Sequence, residues 1–84
     1  MNSEKAIIIF NIARKNISVD LEIPLGISAN ELVYALNAAY DLEIDTTDIK
    51  NCYLKAENPI TLLKGNKTLA EFGIRNGSII NYAE

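Results

Sequence analysis

The chain has 84 residues, of which 49% are hydrophobic and 23% charged, with a formal net charge of −3 and no histidine. This length allows one domain with a single core, and we expect that domain to span residues 1–84. The acidic balance argues against nucleic acid, which needs a concentrated basic face, and against anionic membrane surfaces.

The first two predicted elements form a β-hairpin. Residues 5–12 are mostly apolar and β-branched, which favours a strand with neighbours on both sides. Residues 16–23 alternate between apolar and polar side chains, which favours a strand with one buried face. The short turn at 13–15 makes the two strands antiparallel neighbours.

A turn centred on its two basic residues determines which side chains of the first strand face the core. It places Phe10 opposite Val19, so that Ile8 and Phe10 share the core face. Ile7 and Ile9 then point to the other side of the sheet. A slip of one residue would exchange these two sets.

Residues 28–40 predict the main helix. Pro24 ends the second strand, because proline cannot donate to a sheet ladder. Ser28 can cap the helix, and Glu31 can reach back to the backbone of the cap. An apolar stripe must be buried against the sheet, and it consists of Ala29, Leu32, Val33, Leu36, Ala39 and Tyr40. The opposite side is expected to face water, with Asn30, Glu31, Tyr34 and Asn37.

The second half of the chain predicts shorter elements. An acidic loop over 41–48 follows the helix, with Leu42, Ile44 and Ile49 as its apolar anchors. The remaining elements are two strands, a helical turn with an apolar tail and a closing strand, over 51–56, 60–63, 68–74 and 78–82.

This order of elements is typical of the β-grasp fold. It predicts an α+β architecture in which a mixed five-stranded sheet packs on one helix. The last strand is expected between the first and the third, and parallel to the first through a right-handed crossover.

Residues able to carry catalysis or bind metal are scarce. The lack of histidine excludes nucleophiles activated by histidine and histidine metal ligands. Cys52 has no activating base nearby in the sequence, so a packing role is favoured. The acidic loop lacks the central glycine and the bidentate glutamate of an EF-hand, which favours a solvated loop over a calcium site. We therefore expect no enzymatic activity, no metal and no cofactor.

Cysteine content and the amino-terminal residues indicate the compartment. One cysteine permits no disulfide within the chain, which suits the reducing cytosol. The sequence contains no recognisable signal peptide or transmembrane span. We expect a cytoplasmic protein that does not insert into membranes.

The most distinctive stretch is T-L-A-E-F-G-I-R-N-G-S-I-I-N-Y at 68–82. It resembles the segment that precedes and forms the last strand of ubiquitin-like domains, where Thr68 can cap a turn and Gly77 can adopt a positive φ. With V-D-L-E-I at 19–23 and G-I-R-N-G at 73–77, the chain is most similar to the small bacterial proteins of the YukD/EsaB type.

That resemblance implies a cytosolic accessory or regulatory protein of a type VII secretion system, which exports WXG100 proteins. It implies no chemistry of its own and a protein partner, with the membrane-embedded ATPase and its associated membrane proteins as the best-known large components. The alternatives are an unrelated β-grasp adaptor and a ubiquitin-like modifier or sulfur carrier. A modifier needs a flexible Gly-Gly tail, whereas the sequence ends N-Y-A-E at 81–84.

A protein-binding surface is predicted on the face of the sheet that points away from the helix. Ile7 and Ile9 would lie beside Ile79 of the last strand, with Tyr53 and Lys55 beyond it. An exposed apolar patch on a sheet face is typical of a protein-interaction site. The alternative is that scattered exposed isoleucines are ordinary on a small β protein.

Overall fold

Five strands form one sheet in the order β2-β1-β5-β3-β4, which packs on one helix. The computed structural model describes residues 4–48, 50 and 52–82. The elements are β1 (Lys5–Ile12), a 3-10 turn (Ala13–Lys15), β2 (Ile17–Pro24), α1 (Ala29–Tyr40), β3 (Leu54–Glu57), β4 (Thr61–Leu63) and β5 (Ile79–Tyr82).

The predicted register of the hairpin is confirmed. Phe10 pairs with Val19 in the antiparallel ladder between β1 and β2. Ile8 and Phe10 have no exposed surface, whereas Ile7 is 55% exposed. Because side chains alternate along a strand, Ile8 points into the core, and Ile7 and Ile9 point away from it.

The last strand lies inside the sheet, as predicted. β5 pairs in parallel with β1 and antiparallel with β3. Ile80 is opposite Phe10 on one side and Ala56 on the other, and all three side chains are buried. The α+β β-grasp fold, with a mixed five-stranded sheet on one helix, is confirmed.

The helix begins at the predicted capping box. The Ser28 hydroxyl accepts the Glu31 N–H at 3.1 Å, and the Glu31 carboxylate accepts the Ser28 N–H at 2.8 Å. The buried residues of α1 are Ala29, Leu32, Val33 and Leu36. The prediction that Ala39 belongs to this stripe is wrong, because the stripe continues from Leu36 to half-buried Tyr40. Successive residues of a helix are rotated by about 100°, so Ala39 is exposed.

The hairpin turn holds the other end of the helix. The ammonium group of Lys15 lies 2.7 Å from the carbonyl oxygen of Tyr40 and 3.3 Å from that of Asp41. A cation at these carbonyls complements the helix dipole. The turn between β1 and β2 therefore stabilises the carboxyl end of α1.

Asn37 connects the helix to the acidic loop. Its side-chain amide donates to the carbonyl of Ile44 at 3.1 Å, and its side-chain oxygen accepts the N–H of Ile44 at 3.0 Å. The prediction that Asn37 simply faces water is therefore wrong. Leu42 and Ile44 are buried, which confirms these two anchors of the loop, and Ile49 lies outside the described residues.

The predicted boundaries of four strands shift, and β2 spans Ile17–Pro24 where 16–23 was predicted. β3 begins at Leu54, because the partner strands β4 and β5 reach no further along it, and Cys52 is buried just before it. β4 begins at Thr61, since Ile60 belongs to the preceding turn. β5 begins at Ile79. Residues 51, 83 and 84, which the predictions included, lie outside the described residues.

A second capping box lies next to the first. The N–H of Thr68 donates to the Glu71 carboxylate at 2.9 Å, and the Thr68 hydroxyl accepts the N–H of Glu71 at 3.2 Å. Thr68 also forms an antiparallel β-bridge with Ser28, the cap of α1. The start of the helix and the turn that begins at Thr68 are therefore held against each other.

Leu32→Ala should lower the free energy of unfolding by about 2–5 kcal/mol, because it leaves a cavity beneath the helix. Leu32 is 2% exposed, whereas Leu62 on β4 is 44% exposed. Leu62→Ala is therefore the matched control, with an expected loss of about 1 kcal/mol or less. Urea unfolding measures both values, and equal losses would contradict the buried position of Leu32.

The second capping box should make stability depend on pH. Hydrogen bonds from the N–H and the hydroxyl of Thr68 lower the pKa of Glu71. Such a carboxylate stabilises the fold above its unfolded pKa, about 4.3 for glutamate, and this contribution is lost as the pH falls through the folded pKa. Glu71→Gln should therefore lose less stability than the wild type between about pH 5 and pH 3. Urea unfolding at the two pH values is the test, and equal losses in both proteins would contradict it.

Candidate protein-binding site

Three isoleucines share the face of the sheet opposite α1, and we name Ile7, Ile9 and Ile79 the isoleucine patch. Ile9 and Ile79 are directly opposite each other in the parallel ladder between β1 and β5. Ile7 is 55% exposed and lies two residues from Ile9 on the same face of β1, while Ile9 and Ile79 are half-buried. Paired strands lie about 4.8 Å apart, so the three side chains form one apolar surface.

Carboxylates border the isoleucine patch on the β2 side. Glu22 pairs with Ile7, and Asp20 pairs with Ile9. Glu22 and Asp20 are both exposed. A partner that covers the patch therefore also meets negative charge along one rim.

The backbone beneath the patch is fixed by the segment that leads into β5. The N–H of Ile7 donates to the side-chain oxygen of Asn76 at 2.8 Å, and the carbonyl of Ile7 accepts the N–H of Gly77 at 3.0 Å. The N–H of Ile9 donates to the carbonyl of Ser78 at 3.0 Å. Gly77 has a φ of +88°, as its position before the strand predicts. The backbone of β1 beneath the patch is therefore held by three hydrogen bonds to residues 76–78.

Ser78 holds this segment against the turn between β3 and β4. The role of Ser78 was not predicted from the sequence. Its hydroxyl is fully buried, donates to the carbonyl of Asn58 at 2.6 Å and accepts the N–H of Arg75 at 3.0 Å. The available signal is the alternation of the last strand, which places Ser78 on the same side as buried Ile80. A serine at a core-facing position must satisfy its hydroxyl locally.

A polar row crosses the outer face next to the isoleucine patch, and we define it as Asn11, Asn81 and Glu57. The side chain of Asn11 donates to that of Asn81 at 2.9 Å. The side chain of Asn81 in turn donates to the Glu57 carboxylate at 2.8 Å. These hydrogen bonds link β1, β5 and β3 and limit the patch on that side.

The other two predicted site residues do not join the patch. Lys55 lies opposite Asn81 on one side and Leu62 on the other, so the polar row separates it from the isoleucines. Tyr53 is half-buried and precedes β3. The structure thus brings Ile7, Ile9 and Ile79 together and leaves Lys55 and Tyr53 on the β3 side.

A second apolar surface, absent from the sequence predictions, lies at the β4 edge. Ile60 is 90% exposed and Leu62 is 44% exposed. Beside them is a depression of about 380 Å³, lined by Lys55, Ala56, Glu57, Ile60, Thr61, Leu62 and Asn81. The alternation of 60–63 is the signal that could have found this surface, since Leu63 is buried and Leu62 must then point outwards.

The free thiol is poorly placed for catalysis. Cys52 is 6% exposed. Burial raises the pKa of its thiol, and the nearby carboxylates of Asp45 and Asp48 raise it further. A thiol with a raised pKa is a weak nucleophile at neutral pH, which supports a packing role. Within 4–48, 50 and 52–82, no three histidine, cysteine, aspartate or glutamate residues group as metal ligands.

Across the part of the chain that the structure describes, no helix has the length and apolar character needed to cross a membrane. The longest, α1, has 12 residues. A membrane-spanning helix needs about 20.

Comparison with models of known protein families shows to which family this chain belongs. The model of the family described as "WXG100 protein secretion system (Wss), protein YukD" matches residues 7–81. This chain belongs to the YukD family. The match runs from within β1 to within β5, and it confirms the resemblance predicted from 19–23 and 68–82.

Solved structures that resemble this YukD-family chain are ubiquitin-like domains. The C-terminal ubiquitin-like domain of mouse tubulin-specific chaperone e has a TM-score of 0.72 at 10% identity, covering 100% of this chain and 92% of that domain. A ubiquitin-like domain from tubulin-binding cofactor B has a TM-score of 0.72 at 15% sequence identity, and the match covers 95% of this chain and 89% of that one. The ubiquitin-like domain of Plasmodium falciparum Dsk2 has a TM-score of 0.60 at 13% sequence identity, and the match covers 95% of this chain and 100% of that one. At these identities the likeness establishes the fold alone.

No curated protein matches the sequence of this chain significantly.

Replacing Ser78 should weaken the support beneath the isoleucine patch. Ser78→Ala removes one buried donor and one buried acceptor, and leaves the Asn58 carbonyl and the Arg75 N–H without this partner. We expect a loss of about 1–3 kcal/mol of unfolding free energy. Ser18→Ala, at an exposed position on β2, is the matched control and should change stability by about 0.5 kcal/mol or less. Thermal unfolding compares the two, and similar melting temperatures would refute the role of Ser78.

Proposed function

We propose that this YukD-family chain is a non-catalytic, ubiquitin-like accessory or regulatory protein of a WXG100 secretion system, acting by binding another protein. Family membership supports the assignment to that system. The observation that supports a binding role is the isoleucine patch, in which Ile9 and Ile79 pair on adjacent strands beside exposed Ile7.

The chemistry of the patch defines the partner that fits it. Removing apolar surface from water contributes about 25 cal/mol per Å², so the isoleucines favour an apolar counterpart. Asp20 and Glu22 lie along the adjacent rim, and they favour lysine or arginine at the matching edge of the partner. Rim charges mainly affect the rate and specificity of association.

We place this interaction in the cytoplasm and assign the partner to a membrane-associated component of the secretion machinery. The family description names the secretion system, which must contain a membrane-crossing apparatus for its substrates. Lys55 and Tyr53 stay predicted contacts at the β3 margin of the face.

Charge substitutions in the patch test the proposal. Ile9→Lys and Ile79→Glu should fold, with losses of about 1 kcal/mol or less, because both side chains point away from the core. At a desolvated interface each variant should weaken partner binding by about 100-fold or more, since the new charge would be buried unpaired. The measurements are melting curves, pull-down of secretion-system components from solubilised membranes, and WXG100 secretion in a complemented deletion strain.

Neighbouring core residues are the controls for these variants. Ile8→Lys and Ile80→Glu should unfold the protein, because both positions have no exposed surface. If both patch variants fold and still support binding and secretion, the partner uses another surface. If secretion in the deletion strain equals that of the parent strain, the assignment to the secretion system fails.

A further inference from the structure

Asn76 and Gly77 are the one place in the sequence where glycine follows asparagine. Glycine has no side chain to shield its backbone nitrogen, so this nitrogen can attack the side chain of the preceding asparagine. Such an attack converts asparagine to aspartate or isoaspartate without an enzyme. Both residues are exposed, so water and base reach them from the solvent.

The reaction has two steps. The Gly77 nitrogen bonds to Cγ of Asn76, the bond from Cγ to Nδ2 breaks, and the proton of the Gly77 N–H leaves with the amide as ammonia. This step gives a five-membered succinimide ring, which water then opens at either carbonyl carbon. Cleavage of the bond from Cγ to nitrogen gives aspartate in an intact chain. Cleavage of the original peptide bond gives isoaspartate, in which the main chain runs through the former side chain.

The backbone of Ile7 holds both reacting groups. The side-chain oxygen of Asn76 accepts the N–H of Ile7 at 2.8 Å, and the N–H of Gly77 donates to the carbonyl of Ile7 at 3.0 Å. An N–H that donates to a carbonyl is not readily deprotonated, and a side chain bound to β1 does not turn its Cγ towards the next nitrogen. Ring closure therefore requires these hydrogen bonds to break.

The backbone turn is also unsuited to ring closure. The N–H of Ser78 donates to the carbonyl of Arg75 at 3.0 Å, so residues 75–78 form a β-turn with Asn76 and Gly77 at its centre. The φ of Gly77 is +88°, whereas that of Asn76 is negative. This combination is a type II turn, in which the residue at the position of Asn76 has a ψ of about +120°. The succinimide ring closes only when ψ has the opposite sign.

Bonds to the rest of the fold keep this turn in its conformation. The Ser78 hydroxyl accepts the N–H of Arg75 at 3.0 Å and donates to the carbonyl of Asn58 at 2.6 Å. The N–H of Ile9 donates to the carbonyl of Ser78 at 3.0 Å. The turn cannot change its dihedral angles and reach the reactive geometry while these bonds are in place.

We propose that Asn76 is a deamidation site that the native fold keeps closed, and that it reacts only in molecules whose 75–78 turn has separated from β1. The rate of deamidation is then the intrinsic rate multiplied by the population of the opened turn. Isoaspartate adds one carbon to the main chain before Gly77, so the turn can no longer make both of its hydrogen bonds to Ile7. Each opening that ends in isoaspartate therefore removes the backbone support of the isoleucine patch permanently. This inference does not rest on the proposed function.

The first test compares the full chain in native buffer and in denaturing guanidinium chloride at the same mildly alkaline pH. Tandem mass spectrometry locates deamidation at Asn76, and enzymatic methylation of isoaspartate measures that product. We expect the native protein to react about a hundredfold more slowly or less, because an opened turn is a minor population. Asn76→Gln should not react in either condition, since its ring would need six members. Equal rates for the native and denatured wild type would overturn the proposal.

Matched variants test whether the turn controls the reaction. Ser78→Ala removes the bonds to Arg75 and Asn58, and should raise the native rate about fivefold or more. Ser18→Ala, at an exposed position on β2, should leave the native rate unchanged. In guanidinium chloride both variants should react like the wild type, because the turn is then absent. Circular dichroism verifies that both are folded in native buffer. A folded Ser78→Ala variant that reacts no faster than the wild type would contradict control by the turn.

The final test examines the product. The isoaspartate form is separated by chromatography after denaturation, returned to native buffer and compared with Asn76→Asp, which represents the other product. A carboxylate at position 76 still accepts the N–H of Ile7, so Asn76→Asp should keep the backbone amide resonances of Ile7 and Ile9 near their wild-type positions. The isoaspartate form should shift both resonances and melt at a lower temperature than Asn76→Asp. Equal melting temperatures and unshifted resonances would refute the loss of support beneath the patch.

Discussion

The parallel pairing of β5 with β1 is the interaction on which the rest of this structure depends. It places Ile80 opposite Phe10 inside the core and Ile79 opposite Ile9 on the outer face. Both core side chains are fully buried, so the same ladder that closes the core also creates the isoleucine patch. Asn76, Gly77 and Ser78 guide the chain into this ladder through bonds to β1 and to the turn at Asn58.

Local patterns in the sequence were sufficient for the elements, the hairpin register and the β-grasp fold. The alternation of 16–23 and the turn at 13–15 determine which isoleucines of β1 face outwards, and the pairing of Phe10 with Val19 agrees. Roles that depend on distant contacts could not be predicted in this way. Asn37 binds a loop whose path the sequence does not specify. The exposure of Ile60 depends on where the turn ends and β4 begins.

The sequence indicated the face on which the predicted site residues lie but not how that face is divided, for a physical reason. Alternation placed Ile7, Ile9, Ile79 and Lys55 on one face, and all four lie there. Alternation carries no information on hydrogen bonds between side chains, and the row from Asn11 through Asn81 divides that face. The outer surface of the sheet therefore has two chemically different regions, one apolar with an acidic rim and one in which Lys55 and Glu57 lie beside exposed Leu62.

The hydrogen bond between Asn11 and Asn81 joins residues 70 positions apart. During synthesis, β1 therefore leaves the ribosome long before the strand that completes it. Until β5 arrives, one edge of β1 is unpaired, and Phe10 and Ile80 cannot yet bury each other. Contacts of such sequence separation slow folding and leave apolar strands open to wrong partners. The nascent chain thus cannot complete its sheet until β5 has been translated.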